Sequence, residues 1–487
     1  MEGRPLRADA PFLYVRVSGM KAHFIGIAGM GMSAVAVLLK EKGWEISGSD
    51  EGFYPPGSTY LSAQGINYAP SYGAQNFPKD ADIIVVGKHA KLVPEENEEV
   101  RAAIQSGLPV RSFAEILRDL TTETENIVVA GSYGKSTCTA LLSWCLLSSG
   151  KDPSYFIGAI PKTPEKSSHA GKDSLFILEG DEYPAANWDQ TSKFLYLHPK
   201  SLLLTSLTHD HLNVFPTLED YLNPFRKLID LLPTGEPLFI CGDTENGDSF
   251  LKEKTRPIIT YGLTPGNDWY AENIQLGAIS HFDLMHKGER IITLKTSLLG
   301  RHNIENIVGV AALLLDKKLL TPQEVARGIE SFESLTRRLD LKSKRTSLRI
   351  YEGFGSSYAK AHSAIAAVRE HFPDNRLLIV FEPHTFSWRN HGALHWYDTI
   401  FNGAAGVWIY KPPTHGADTH AQLTLEEITS RVSASGVNAW GFEEPTEGLR
   451  QIEQELRRDD VILLLTSGDL GGLIESIPAL ADKKFPA

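Results

Sequence analysis

Residues 127–137 read IVVAGSYGKST, and no other stretch restricts the fold of this chain so tightly. A run of β-branched and small apolar residues passes through a glycine turn into a lysine and two hydroxyl residues. The pattern then takes on the helical spacing of KSTCTALLSWCLLSSG (135–150). A strand that feeds directly into a helix start is the opening of a βαβ unit, so a parallel sheet is expected around it. Gly131 and Gly134 let backbone N–H groups approach phosphate oxygens, and the helix N-terminus adds a favourable partial charge. In that setting Lys135 meets the outer phosphates of a triphosphate. Ser136 and Thr137 supply hydroxyls, Ser136 being placed to ligate Mg2+. The spacing is not the common G-x-x-x-x-G-K-[ST], because Val129 stands where the first glycine would be. The stretch predicts ATP binding.

The rest of the chain bounds the setting. Its 487 residues, at roughly 100–200 per domain, predict about three domains. The three cysteines, Cys138, Cys145 and Cys241, include no CxxC pair, which fits structural thiols in a reducing compartment and not a metal knuckle. A formal charge of −12 argues against a nucleic-acid or membrane-surface binder. No apolar run reaches the roughly 18 residues of a membrane span, so a cytoplasmic location is expected. PFLYVRV near the start is too short and interrupted for a signal-peptide core. Residues 1–19 are therefore read as a loose extension.

From Ala22 short apolar runs alternate with helical stretches. AHFIGIAG (22–29), EISGSD (45–50) and ADIIVVG (81–87) read as strands, with helices over 33–43 and 96–107. The polar run TTETEN (121–126) breaks the rhythm, which restarts at residue 127 and continues through strands at 174–180, 201–207, 238–243 and 257–262. An antiparallel excursion is expected over 264–299, then a helix over 303–318. After Ser334, strands are expected at 348–354, 376–382, 406–412 and 461–469. The expected class is α/β in three domains. A Rossmann-like N-terminal domain spans 20–120, a P-loop ATPase-like central domain 121–334 and an α/β C-terminal domain 335–487.

Other stretches carry chemistry. ILEGDEYPAANWD (177–189) crowds Glu179, Asp181, Glu182 and Asp189 at a strand end. Carboxylates there lie near the ligand crevice of an open sheet, where one can hold Mg2+; an acidic turn can equally be a solvated loop. In SLTHDHLNVF (206–215), His209 and His211 share a face if the chain is extended, while Asp210 points away. HFIGIAGMGMSAVA (23–36) places Gly26, Gly29 and Gly31 between a strand and a helix, with Asp50 at the next strand end. Such a turn admits a diphosphate, and Asp50 could reach a ribose or base. A nucleotide-linked substrate fits it better than a nicotinamide cofactor. GRHNIENIVGVAAL (300–313) sets His302, Asn303 and Asn306 at a helix start, where amides either read an adenine edge or cap the helix. TRRLD (336–340) offers Arg337 and Arg338 as a phosphate clamp or as a solvated charge pair.

Taken in order, GIAGMGM (26–32), AGSYGKST (130–137), EGDEY (179–183), the DH of 210–211, GRHNIEN (300–306) and RRLD (337–340) resemble the Mur ligase family. These are ATP-dependent, amide-forming enzymes of bacterial cell-wall assembly. GSDEGFYPPGSTYLSAQGI (48–66), EGDEYPAANWDQTSKF (179–194) and SGDLGGL (467–473) are most similar to the murein peptide ligase branch. That branch joins UDP-N-acetylmuramic acid to L-Ala-γ-D-Glu-meso-diaminopimelate in peptidoglycan recycling. The relative that adds L-alanine to the same sugar nucleotide is the alternative.

The resemblance implies an acyl-phosphate mechanism with ATP and Mg2+. It assigns catalysis to Lys135, Glu179 and His211, and the metal to Ser136, Glu179 and His211. Gly131, Gly134, Lys135, Ser136, Thr137, His302, Asn303, Asn306, Arg337 and Arg338 would contact ATP. Gly26, Gly29, Gly31 and Asp50 would contact the sugar nucleotide, and His384 and Arg389 of EPHTFSWRN (382–390) the acceptor carboxylate. The chain departs from the family at YEGFGSSYAK (351–360), which lacks the histidine pair and proline usual there. A catalytically weakened UDP-sugar-binding relative is therefore a further alternative.

Overall fold

The computed structural model describes residues 19–53, 55–252, 256–414 and 421–487. Of the expected N-terminal extension, only Gly19 falls among them. Internal packing divides the chain into two compact units. One holds the chain through Asn273 together with Phe282–Leu294 and Glu305–Phe332, and the other holds Ile274–His281, Lys295–Ile304 and Glu333–Ala487. Among the described residues no helix is long and apolar enough to cross a membrane.

The first unit begins with β1 (Lys21–Ile25), β2 (Glu45–Ser49), β3 (Ile83–Val86) and β4 (Val110–Arg111), a parallel sheet ordered β2-β1-β3-β4. Next come β5 (Glu125–Ala130), β6 (Ser154–Phe156), β7 (Ser168–His169) and β8 (Leu175–Glu179). A two-stranded ribbon of β9 (Pro184–Ala186) and β10 (Asp189–Ser192) follows, then β11 (Ser201–Leu204), β12 (Leu238–Cys241) and β13 (Ile258–Gly262). The expected excursion is β14 (Trp269–Gln275), β15 (Ser280–His286) and β16 (Glu289–Thr296). Its last turn places Lys287 and Gly288 at positive φ, the backbone of a two-residue hairpin. β5–β8 and β11–β16 form one sheet ordered β16-β15-β14-β13-β12-β11-β5-β8-β6-β7.

The helix Met30–Glu41 begins three residues before the expected start at 33 and buries every residue from Met32 to Leu39. A helix apolar on all sides must be covered on all sides, and here the edge of the ten-stranded sheet does part of the covering. The Ser168 hydroxyl donates to Ala34 O at 2.6 Å, and Ser167 N donates to the Tyr60 hydroxyl at 3.1 Å. One hydrophobic core consequently runs from Phe24 and Leu38 to Val128 and Leu178. Cys138, Cys145 and Cys241 are buried free thiols. Burial raises all three, Cys145 to about 12.

The second unit is built on β17 (Arg338–Leu341), β18 (Arg349–Phe354), β19 (Leu377–Phe381), β20 (Gly406–Tyr410), β21 (Ala439–Phe442) and β22 (Val461–Thr466), ordered β17-β18-β22-β19-β20-β21. β17 is antiparallel to β18 and the other pairings are parallel. Alternate residues of the buried strand VILLLT feed two separate cores, Leu463 and Leu465 one, Ile462 and Leu464 the other. Helices therefore cover both faces.

One polar cluster holds the four-stranded sheet. His23 and Glu99 are both fully buried, with Nε2 2.7 Å from the carboxylate. Ser47 contacts the other ring nitrogen at 2.9 Å, and Gly73 N donates to the second Glu99 oxygen at 2.9 Å. Removing one partner strands the other in an apolar site, which costs about 3–5 kcal/mol. Glu99→Ala is accordingly expected to lose about that much stability in urea denaturation, and much less when combined with His23→Ala.

Candidate functional site

At the end of β5 the chain turns at Gly131, whose φ is +139°. A Cβ there would lie 2.2 Å from the Thr205 hydroxyl. That hydroxyl donates to Tyr133 O at 2.5 Å, while Ser132 N and Tyr133 N donate to Ser206. The turn is thus braced from β11 and its successor loop. Gly134 takes the left-handed conformation immediately before the helix Lys135–Ser148, with the Asn306 amide where its Cβ would be. The helix has no side-chain cap and no acid in its first turn, which leaves its first N–H groups for an anionic ligand.

Lys135 folds back over this turn. Its ammonium donates to Gly131 O, to Ser132 O at 3.3 Å and to the Glu182 carboxylate at 2.8 and 3.1 Å. Burial alone would lower this ammonium, but Glu182, Glu179 and Asp181 outweigh it and hold it above its ordinary value.

The acidic stretch after β8 separates into three roles. Glu179 accepts from the Ser136 hydroxyl at 2.8 Å and from Gly158 N at 2.7 Å. Burial nevertheless pushes its carboxyl up. Asp181 pairs with Lys193 at 2.6 Å. Burial opposes its ionisation, yet Lys193 and the Tyr183 N–H keep it below the usual carboxylate range. Glu182, 1% exposed, is the hub, since His211 Nε2 lies 3.2 Å from it on the side away from the P-loop lysine's shorter contact. Sequence reading saw the acids but assigned a role only to Glu179. It assigned no role to Glu182, Tyr183, Lys193 or Lys88; the first two have a legible signal in EGDEY, Lys193 lies in the longer stretch 179–194, and Lys88 has none.

The two histidines do not converge. His211 has φ +57°, which turns its ring onto the Tyr183 hydroxyl at 2.9 Å and onto Glu182. His209 instead reaches Phe215 O at 2.8 Å and lies against Tyr221. The expectation of an extended chain fails because the left-handed residue breaks the alternation. Hydrogen bonding to Glu182 is the largest influence on His211 and raises its imidazolium, against burial.

A cavity of about 420 Å3 connects these groups to the first sheet, lined by Gly29–Met32 on one side and Lys135, Glu179 and His211 on the other. Gly26 sits at φ +83° in the turn after β1. Asp50 is 3% exposed and closes this turn from within. It accepts from Ala28 N and Glu51 N, each at 2.7 Å, and from the Tyr72 hydroxyl at 3.2 Å. The ribose contact expected of Asp50 is not what its carboxylate is arranged for. A larger cavity, about 590 Å3, opens at the opposite ends of β5, β8 and β11, and none of the predicted site residues lines it.

The remaining predicted residues divide between the units. Asn306 belongs to the first, beside Gly134, whereas His302 and Asn303 belong to the second. Asn303 donates to Leu299 O at 2.8 Å. In the second unit Arg337 donates to Gly468 O at 2.8 Å and Ser467 O at 3.3 Å and pairs with Glu352 at 3.2 Å, while Arg338 is exposed on β17. His384 lies 3.1 Å from Glu382, which also binds the Thr466 hydroxyl and Leu470 N. Arg389, 3% exposed, donates to Pro413 O at 2.8 Å and Gln422 Oε1 at 3.2 Å. Its guanidinium braces the loop after β20, so the acceptor contact expected of it would need those bonds to break.

Two expectations follow from this geometry. Gly131→Ala adds a Cβ where the Thr205 hydroxyl stands, at a φ that costs a substituted residue about 1–3 kcal/mol. It should weaken binding of a fluorescent ATP analogue by about tenfold or more. Because Glu182 raises His211, the charged pair stabilises the protein fully below the unfolded imidazole value, about 6.5. That stabilisation is lost as pH climbs through the higher folded value. The difference in melting temperature between the ligand-free protein and His211→Gln should therefore be largest at about pH 6 and shrink progressively on the alkaline side.

Residues 21–124 match the catalytic-domain model of the Mur ligase family, and residues 129–314 match the Mur ligase middle domain. The UDP-N-acetylmuramate–L-alanine ligase of Endomicrobium trichonymphae is 27% identical over 94% of this chain and 98% of its own length. The UDP-N-acetylmuramate–L-alanyl-γ-D-glutamyl-meso-2,6-diaminoheptandioate ligase of Escherichia coli is 29% identical over 75% of this chain and 79% of its own. Among solved structures, the UDP-N-acetylmuramate–alanine ligase of Thermotoga maritima shares the fold with a TM-score of 0.75 at 22% identity. It covers 94% of this chain and 98% of that one. A murein peptide ligase from Psychrobacter arcticus does so at 0.64 and 22%, over 96% and 100%. With two adjoining domain models of one family covering more than half its length, the chain belongs to the Mur ligase family of ATP-dependent ligases that form C–N bonds.

Proposed function

We propose that this chain joins the lactyl carboxylate of UDP-N-acetylmuramic acid to the amine of L-Ala-γ-D-Glu-meso-diaminopimelate, as a step of peptidoglycan recycling. The observation that carries this reading is the single cavity lined by both the glycine segment after β1 and the Lys135–Glu179–His211 group. A nucleotide-linked donor held by the first and a triphosphate held by the second would meet there. In this reading residues 20–120 bind the UDP-sugar, 121–334 bind ATP and 335–487 bind the acceptor.

A donor carboxylate oxygen attacks the γ-phosphorus of ATP, giving an acyl phosphate and ADP. The acceptor amine then adds to the acyl carbon, the tetrahedral species expels phosphate, and the nitrogen loses its proton. Anionic oxygens crowd one place in both steps, so cations must offset them. Lys135 would leave Glu182 for the outer phosphates, and the N–H groups opening its helix would hold the others. Thr137 stands in that first turn, and Asn306, which borders Gly134, would face the adenine. Arg337 or Arg338 would reach the γ-phosphate, and His302 and Asn303 the nucleoside. His384 and Arg389 would meet the acceptor.

Mg2+ fits the residues present. Ser136 and Glu179 place two hard oxygen donors 2.8 Å apart beside the turn, and Mg2+ is usually held by one or two carboxylates together with substrate phosphates. His211 would stand beside this pair. Bound there, Mg2+ would neutralise phosphate charge.

Transfer of L-alanine to the same donor is the second reading. It is favoured by the fuller coverage of the Endomicrobium trichonymphae alanine ligase and by the higher TM-score of the alanine ligase structure. The tripeptide is preferred on the stretch EGDEYPAANWDQTSKF (179–194), because its Tyr183 and Lys193 line the cavity. Phosphate release from ATP and Mg2+ with UDP-N-acetylmuramic acid, comparing the tripeptide with L-alanine, tests the choice. Faster release with the tripeptide is expected. Faster release with L-alanine would make the enzyme biosynthetic, and none with either would identify a weakened sugar-nucleotide binder.

A further inference from the structure

The four-stranded sheet reverses direction at one place. The chain winds from β1 to β2 on one side, then crosses to β3 on the other side of β1. Ligands of open parallel sheets enter at the carboxyl ends of strands flanking such a reversal. Two segments leave those ends: the glycine segment from Gly26, following β1, and Gly87–Lys88, following β3. Both Gly29–Met32 and Lys88 line the 420 Å3 cavity.

Lys88 differs from the other two lysines of that cavity. Lys135 is bound to Glu182 and Lys193 to Asp181. Lys88 makes no hydrogen bond and no ion pair among the described residues. Its ammonium stands 5.6 Å from the centre of the Tyr183 ring, half-buried. Burial, and after it the charge of Lys193, lower this ammonium from its ordinary value. The carboxylate whose field favours Lys88, that of Asp181, is bonded to Lys193 instead. A desolvated cation without a counter-ion in a cleft is the arrangement that an anionic ligand completes.

We propose that Lys88 is a recognition residue for the donor, its ammonium taking the diphosphate across the crevice from the glycine segment. This rests on the reading of the cavity as the donor site. The ring of Tyr183 holds the ammonium by its face, and a lysine acts as a point charge that tolerates either phosphate.

Calorimetric titration of the full chain with UDP-N-acetylmuramic acid, UDP and uridine, for the native protein and for Lys88→Gln and Lys88→Arg, tests the assignment. Losing a hydrogen bond to a charged group is worth about tenfold or somewhat more. Lys88→Gln should therefore raise the Kd of both UDP-N-acetylmuramic acid and UDP by about that factor and leave uridine unaffected. Lys88→Arg should restore most of the loss, and in steady state the KM for ATP should stay within about twofold in both variants. A loss confined to UDP-N-acetylmuramic acid would move Lys88 to the lactyl carboxylate and overturn the diphosphate assignment. Unchanged binding of all three ligands by Lys88→Gln would overturn any role for Lys88. Failure of the native protein to bind UDP-N-acetylmuramic acid would instead overturn the donor-site reading beneath it.

Discussion

Three carboxylates follow one another at the end of β8, and a protein can keep such a group only by answering it with cations and hydrogen bonds placed with equal care. Glu182 carries most of this arrangement. It is almost wholly buried and draws in Lys135 from the glycine turn and His211 from the loop after β11. Asp181 is answered separately by Lys193. Glu179 receives only neutral donors, Ser136 and Gly158, so its charge is the least compensated of the three and its carboxyl the one that burial drives upward. This uneven distribution gives the site its chemistry: a carboxylate short of positive charge next to a lysine with more than one partner to choose between.

Those partners are already in place around the lysine. Lys135 is bound to Glu182 and to two carbonyls of its own turn. A triphosphate must therefore compete for it against groups already in contact. Glu182 is shared between Lys135 and His211, so the lysine and the histidine answer the same buried carboxylate.

Much of the fold was legible because strand and helix periods are local properties. The apolar runs IVVAG, SLLLT and VILLLT became central parallel strands, and the glycine turn at 131–134 could be read from its residue types alone. Short elements escaped, among them β4 with two residues and the β9–β10 ribbon, because two or three residues carry no period. The helix Met30–Glu41 started early because its glycines cannot be told from a loop without the sheet behind them. Side-chain destinations were less legible still. Asp50 and Arg389 look like ligand contacts by residue type and position, yet each is engaged with neighbouring backbone. His211 owes its orientation to a left-handed φ that no sequence pattern announces. Lys88 lies far from any motif, and only the folded cavity brings it and Lys193 beside Lys135.

The three cysteines have a consequence of a different kind. Cys138 and Cys145 lie on the helix that opens at Lys135, sealed in the core with thiols far more reluctant to ionise than a free cysteine. A thiolate is the reactive form, so these positions are expected to resist alkylating reagents in the folded protein and to react when the helix leaves the sheet. Labelling of Cys138 and Cys145 would therefore count openings of the helix Lys135–Ser148, a clock for local unfolding of the chain.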